Sequence, residues 1–88
     1  MKTLKLKKLS NLDYKTNLLG MLKTAPAKGF SIDEVRKSVK AIEVLEKAKE
    51  QAEFEDDVCE HIKKVVATQK FVIASKELVE FIDDIEKV

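Results

Sequence analysis

The chain has 88 residues, 44% apolar and 38% charged, with a net charge of +1. That length suits one domain near the lower limit for a self-supporting core, and a charge content well above the roughly 25% of ordinary globular chains obliges each helix to turn one side to water. The single cysteine, Cys59, excludes an internal disulfide framework and suits a reducing compartment, while no run nears the roughly 18 apolar residues of a membrane span and the basic start lacks the apolar segment of a signal peptide. The expectation is a single small helical domain over residues 1–88, soluble, unprocessed and cytoplasmic.

Residues 3–9, TLKLKKL, put Leu4 and Leu6 on one face at period two with Thr3, Lys5 and Lys7 opposite, which predicts a short edge strand. After it, Ser10, Asn11 or Asp13 can cap a first helix over about 14–24, in which Tyr14, Leu18, Met21 and Leu22 recur at helical spacing until Ala25-Pro26 stops the run.

The second helix has the best defined start. Ser31 and Glu34 stand at capping-box spacing, with Phe30 and Val35 at the positions of a hydrophobic staple. From there Val35, Val39, Ile42, Leu45 and Ala48 form one apolar stripe running to about residue 50, supported by the pairs Asp33 with Lys37 and Glu43 with Lys47. This segment, TAPAKGFSIDEVRKSV and onward, also has the opening of a DNA-reading helix-turn-helix. A recognition helix needs a turn near residue 38, and RKSVKAIEVLEKAKE has no breaker there, so one long helix is the better reading.

QAEFEDD alternates Ala52 and Phe54 with Glu53 and Glu55, which predicts a second short strand. Opposing its acids to Lys5 and Lys7 makes residues 52–55 the expected partner of the N-terminal strand. Asp57 and Glu60 repeat the capping-box spacing before a third helix whose apolar face carries Val58, Ile62, Val65 and Val66, with Gln69 at its end. Phe71 to Ala74 are expected as a buried turn. Ser75 then caps a fourth helix with Leu78, Ile82 and Ile85 as its stripe, flanked by Val79 and Phe81.

The predicted architecture is therefore mainly α: four helices in a compact domain with a short N-terminal strand. No motif calls for a cofactor. Cys59 and His61 fall short of a structural zinc site, which needs four ligands, and two helical residues two apart diverge by about 200°. They are read instead as a core-edge cysteine and a surface-edge histidine. EFEDD lacks the spacing and glycine of a calcium loop. There is no glycine-rich phosphate loop, and no serine, histidine and aspartate set points to catalysis, so no enzymatic activity is expected.

Charge is uneven along the chain. Residues 1–28 carry seven lysines against Asp13, while residues 51–88 carry five lysines against ten acids. The basic segment supplies the candidate contacts of a nucleic-acid-binding alternative, Lys5, Lys7, Lys8, Lys15, Lys23 and Lys28, without an aromatic platform beside them. The favoured reading is a protein interface. Ala41, Val44 and Ala48 make a small-residue strip beside the main stripe of the second helix, wide enough for another helix to approach.

QAEFEDDVCEHIKKVV followed by FVIASKELVEFIDDIEKV resembles a pattern of small proteins encoded by tailed phages and prophages, in which a two-helix half is followed by an acidic strand-to-helix step and a last helix of the form ELVEFIDDI. The resemblance spans residues 13–88 and departs from the pattern at Ala52, where a leucine is expected. It implies a virus-derived accessory protein with no defined catalytic activity. Such a protein would act in particle assembly or host interaction and would bind itself or another phage protein.

Overall fold

Leu4 fixes the start of the chain. In the computed structural model, which describes residues 1–10, 12–24, 29–69 and 74–88, strand β1 (Lys2–Lys5) lies antiparallel to β4 (Gln51–Phe54), with Leu4 opposite Ala52. Leu4, Ala52 and Phe54 are buried, whereas Thr3, Lys5, Gln51 and Glu53 face water, as period-two alternation on a one-sided ribbon requires. The Leu6 amide extends the pairing by donating to the Glu50 carbonyl at 2.9 Å.

Two expectations about this ribbon are corrected. The strand does not run to residue 9, because after Lys5 the chain turns into a small hairpin of β2 (Lys8–Leu9) and β3 (Leu12–Asp13). The register places Lys5 opposite Gln51 and Glu53 opposite Thr3. Lys5 and Glu53 therefore meet only diagonally, and Lys7 has left the ladder altogether.

Helix α1 (Tyr14–Lys23) starts at Asp13, whose carboxylate accepts from the Lys15 amide at 3.1 Å. Tyr14, Leu18 and Leu22, four residues apart, put one face into the core. Helix α2 (Ile32–Lys47) begins on the expected capping box: the Ser31 amide donates to the Glu34 carboxylate at 3.0 Å and the Glu34 amide to the Ser31 hydroxyl at 3.2 Å. Gly29 precedes it at φ 78°, a conformation that a side chain would strain. The helix is unbroken across residue 38, which removes the helix-turn-helix geometry.

Helix α3 (Asp56–Thr68) differs from expectation at its start. Its N-cap is Glu55, which makes no side-chain capping bond, and Asp57 accepts from the neighbouring Val58 amide rather than closing a box with Glu60. The buried Phe54 and Cys59 stand at the N′ and N4 positions of a hydrophobic staple, and Asp56 and Asp57 place negative charge in the first turn, where the helix dipole favours it. Helix α4 (Lys76–Lys87) is capped as expected by Ser75, whose hydroxyl accepts from the Leu78 amide at 3.1 Å. Phe81 is the centre of its buried stripe with Leu78 and Ile85, rather than a flank, and Val79 faces solvent. Of the buried turn expected at 71–74, residues 71–73 lie outside the described residues, and Ala74, which is described, is exposed rather than buried.

The four helices and the β1–β4 ribbon share one hydrophobic core. Tyr14 of α1 and Phe81 of α4 meet edge to face, with centroids 4.9 Å apart, and the Tyr14 hydroxyl donates to Asp84 at 2.6 Å. The radius of gyration, 12.2 Å, is that of a compact chain of this length, about 12 Å.

Candidate protein-interaction face

Helix α2 has two apolar arcs. Ser38, Ala41 and Leu45 are buried and define the side that faces the core. Ile32, Val35 and Val39, at i, i+3 and i+7, define a second arc and are 69%, 42% and 46% exposed. The half-buried Ile42 continues this second arc toward the core, so the four span roughly 80° around the helix. The single stripe expected from the sequence is thus split: Val35 and Val39 point outward, and Ser38 and Ala41 take their places inside.

A hydrogen bond across the helix pair accounts for this rotation. The Ser38 hydroxyl lies 2.7 Å from Nε2 of His61 on α3, both residues are buried, and Phe30 packs edge-on to the imidazole with centroids 5.8 Å apart. A buried polar group costs free energy unless it is paired, and these two satisfy one another. Turning Val35 and Val39 inward would break that pair. His61, expected at the surface edge, is 5% exposed; burial pushes its pKa below the ordinary histidine value, with Lys37 and Lys64 acting in the same direction and Glu34 opposing them. The imidazole ties α2 to α3. Its outer side borders a charged depression of about 230 Å³ lined by Glu34, Lys37, Asp57, Glu60 and Lys64.

The residues of the expected small-residue strip separate. Ala41 is fully buried in the core, Val44 packs partly against it, and Ala48 is the half-buried C-cap of α2. They do not form an exposed surface, because this flank of α2 is where β4 and the start of α3 approach. Val44 instead lines a groove of about 320 Å³ with Met1, Phe54 and Val58, rimmed by Lys40, Glu43, Lys47, Glu53 and Glu55.

The candidate lysines are scattered by the fold. Lys7 pairs with Asp84 at 3.0 Å, and the Tyr14 hydroxyl and Lys7 together hold that carboxylate below the ordinary aspartate range. The Lys15 ammonium donates to the Ala48 carbonyl at 3.0 Å and the Glu46 carbonyl at 3.5 Å, capping the negative end of α2. Lys5, Lys8 and Lys23 are exposed and form no ion pair among the described residues. Lys28 lies outside the described residues.

Cys59 is buried, which raises its thiol pKa, and among the described residues no group of three or more histidine, cysteine, aspartate or glutamate side chains is placed to hold a metal ion. No described helix is long and apolar enough to cross a membrane. Comparison with protein-family models, curated proteins and solved structures finds no match.

The sequence carried a signal for the exposed arc, since Ile32, Val35, Val39 and Ile42 have helical spacing by themselves. What it lacked was any indication that Ser38 would be drawn inward by a histidine 23 residues away.

Proposed function

We propose that the protein is a non-enzymatic interaction protein that presents the Ile32–Val35–Val39 side of α2 to a protein partner. The observation that carries this reading is the exposure of three β-branched residues in a row on the best capped helix of the fold. Scattered apolar residues are ordinary on protein surfaces, but a contiguous stripe on a rigid element is the form that helix-mediated recognition uses. Ser38 and His61 support a non-catalytic role, because each satisfies the other inside the fold. The resemblance of residues 13–88 to small phage and prophage proteins supports an accessory protein acting in the host cytoplasm, in particle assembly or host interaction, with association with the virion a consequence of the first role. The nucleic-acid alternative is left with fewer lysines, since Lys7 and Lys15 are engaged within the fold.

A double substitution, Val35→Ser with Val39→Ser, tests whether the face is free. Serine and valine have similar helix propensities, so at low protein concentration the variant should unfold within about 0.5 kcal/mol of the parent, as surface changes do. A loss of about 2 kcal/mol or more would mean that the valines are packed inside the fold, and the reading would fall. A mobility shift of duplex DNA that weakens steeply with salt would transfer the function to the basic segment.

A further inference from the structure

We infer that the occupant of this face is a second copy of the same chain, with the two α2 helices crossing antiparallel at Val39 and Arg36 of each copy set against Glu43 of the other. The inference rests on the proposed interaction reading and specifies its partner.

Charge placement supports this arrangement. Arg36 and Glu43 are seven residues apart and so lie within about 20° of one another around the helix, beside the Ile32–Val35–Val39 stripe. Both are exposed, and neither forms an ion pair with another described residue; of the two pairs expected along α2, Asp33 with Lys37 is present and Glu43 with Lys47 is not. Of the other charges on the helix, Glu34 is held in the capping box and Asp33 pairs with Lys37 at 3.5 Å, while Lys40, Glu46 and Lys47 are exposed and form no ion pair with a described residue. Arg36 lies three residues before Val39 and Glu43 four after it. A twofold axis near Val39 that reverses one helix against the other therefore brings each arginine to the level of the opposite glutamate, twice.

The shape of the stripe fits the same crossing. Val35, Val39 and Glu43 form one ridge of the i±4 kind, and ridges of this kind pack against each other in the commonest class of helix crossing. Valine is short, so the two backbones can approach closely. Such a contact is isologous and closes at two copies, which is the commonest symmetry of soluble oligomers. A parallel crossing on the same stripe would put the Arg36 and Glu43 of the two copies on opposite edges of the contact, where they could not pair.

Only three aliphatic side chains of the stripe are exposed, few beside the roughly 20–30 residues a side of a standard stable interface, so the dimer should be reversible on dilution. Its exposed ion pairs should weaken as salt rises.

The test is light scattering over a concentration series with charge-reversed variants. The parent should move from monomer to dimer. Arg36→Glu and Glu43→Arg alone should each weaken association at least tenfold, since each homodimer then faces like charge with like. Mixed in equal amounts, the two variants should dimerise as the parent does, because each arginine again meets a glutamate. Thermal unfolding of each variant at low concentration, expected to match the parent, keeps a folding defect from passing for lost association.

A parent that remains monomeric at the highest concentration overturns the inference. So do single variants that associate like the parent, or a mixture that associates no better than its components. If the parent is monomeric while the Val35→Ser, Val39→Ser variant keeps its stability, the second copy is excluded and the face remains available to a different protein. If that variant is strongly destabilised, both readings fall together.

Discussion

His61 shows how one side chain sets the orientation of a helix. Its Nε2 is 2.7 Å from the Ser38 hydroxyl, in a site where burial favours the neutral ring. With its folded pKa depressed, the unfolded chain binds the extra proton first. The stability His61 contributes is therefore complete above the unfolded value near 6.5 and declines as pH falls below it toward the folded pKa. Urea midpoints of the parent should accordingly drop between about pH 7.5 and pH 5.5, where carboxylates with ordinary pKa values remain ionised. His61→Gln, which retains a hydrogen-bonding group toward Ser38 without titrating, should flatten that decline; equal slopes for the two proteins would remove His61 from the account. Local features at this scale were legible in the sequence. Ser31 with Glu34, and Ser75 before α4, act through residues three positions away, so spacing alone reveals them. The burial of His61 was not legible, because it depends on which helix lies opposite.

Among the elements, the β1–β4 ribbon and α2 teach different lessons. The pairing of the N-terminal segment with the 51–54 strand could be read from matched alternation, since only one face of each strand is apolar. Its register could not, because a shift of two residues keeps the same faces inward. The observed register sets Lys5 diagonal to Glu53 rather than opposite it. A double-mutant cycle with Lys5→Glu and Glu53→Lys should therefore give a coupling near the bottom of the roughly 0.2 to 1 kcal/mol seen for cross-strand pairs. A coupling near the top of that range would mean a register in which the two stand directly opposite. In α2 the period was correct and the phase was wrong. A reader choosing between two apolar arcs favours the one with more valines, and here the core takes the arc containing a serine.

For the molecule as a whole, the charge polarity of the sequence is folded back on itself. Lys7 reaches Asp84, the Ser10 hydroxyl donates to Glu77 at 3.1 Å, and the N-terminal ammonium lies 3.9 Å from Asp56, so the basic start is laid against the acidic second half. These are largely exposed contacts, and such pairs contribute little to stability individually. On the Ile32–Val35–Val39 side of α2, exposed apolar area adjoins the unengaged charges of Arg36 and Glu43. The claim that this surface meets another chain is tested most directly by following backbone amide resonances through a dilution series. The account predicts concentration-dependent shifts at Ile32, Val35, Arg36 and Val39, with Phe54 and Val58 unchanged. Shifts gathered around the Val44 groove, or none on α2 at any concentration, would contradict it.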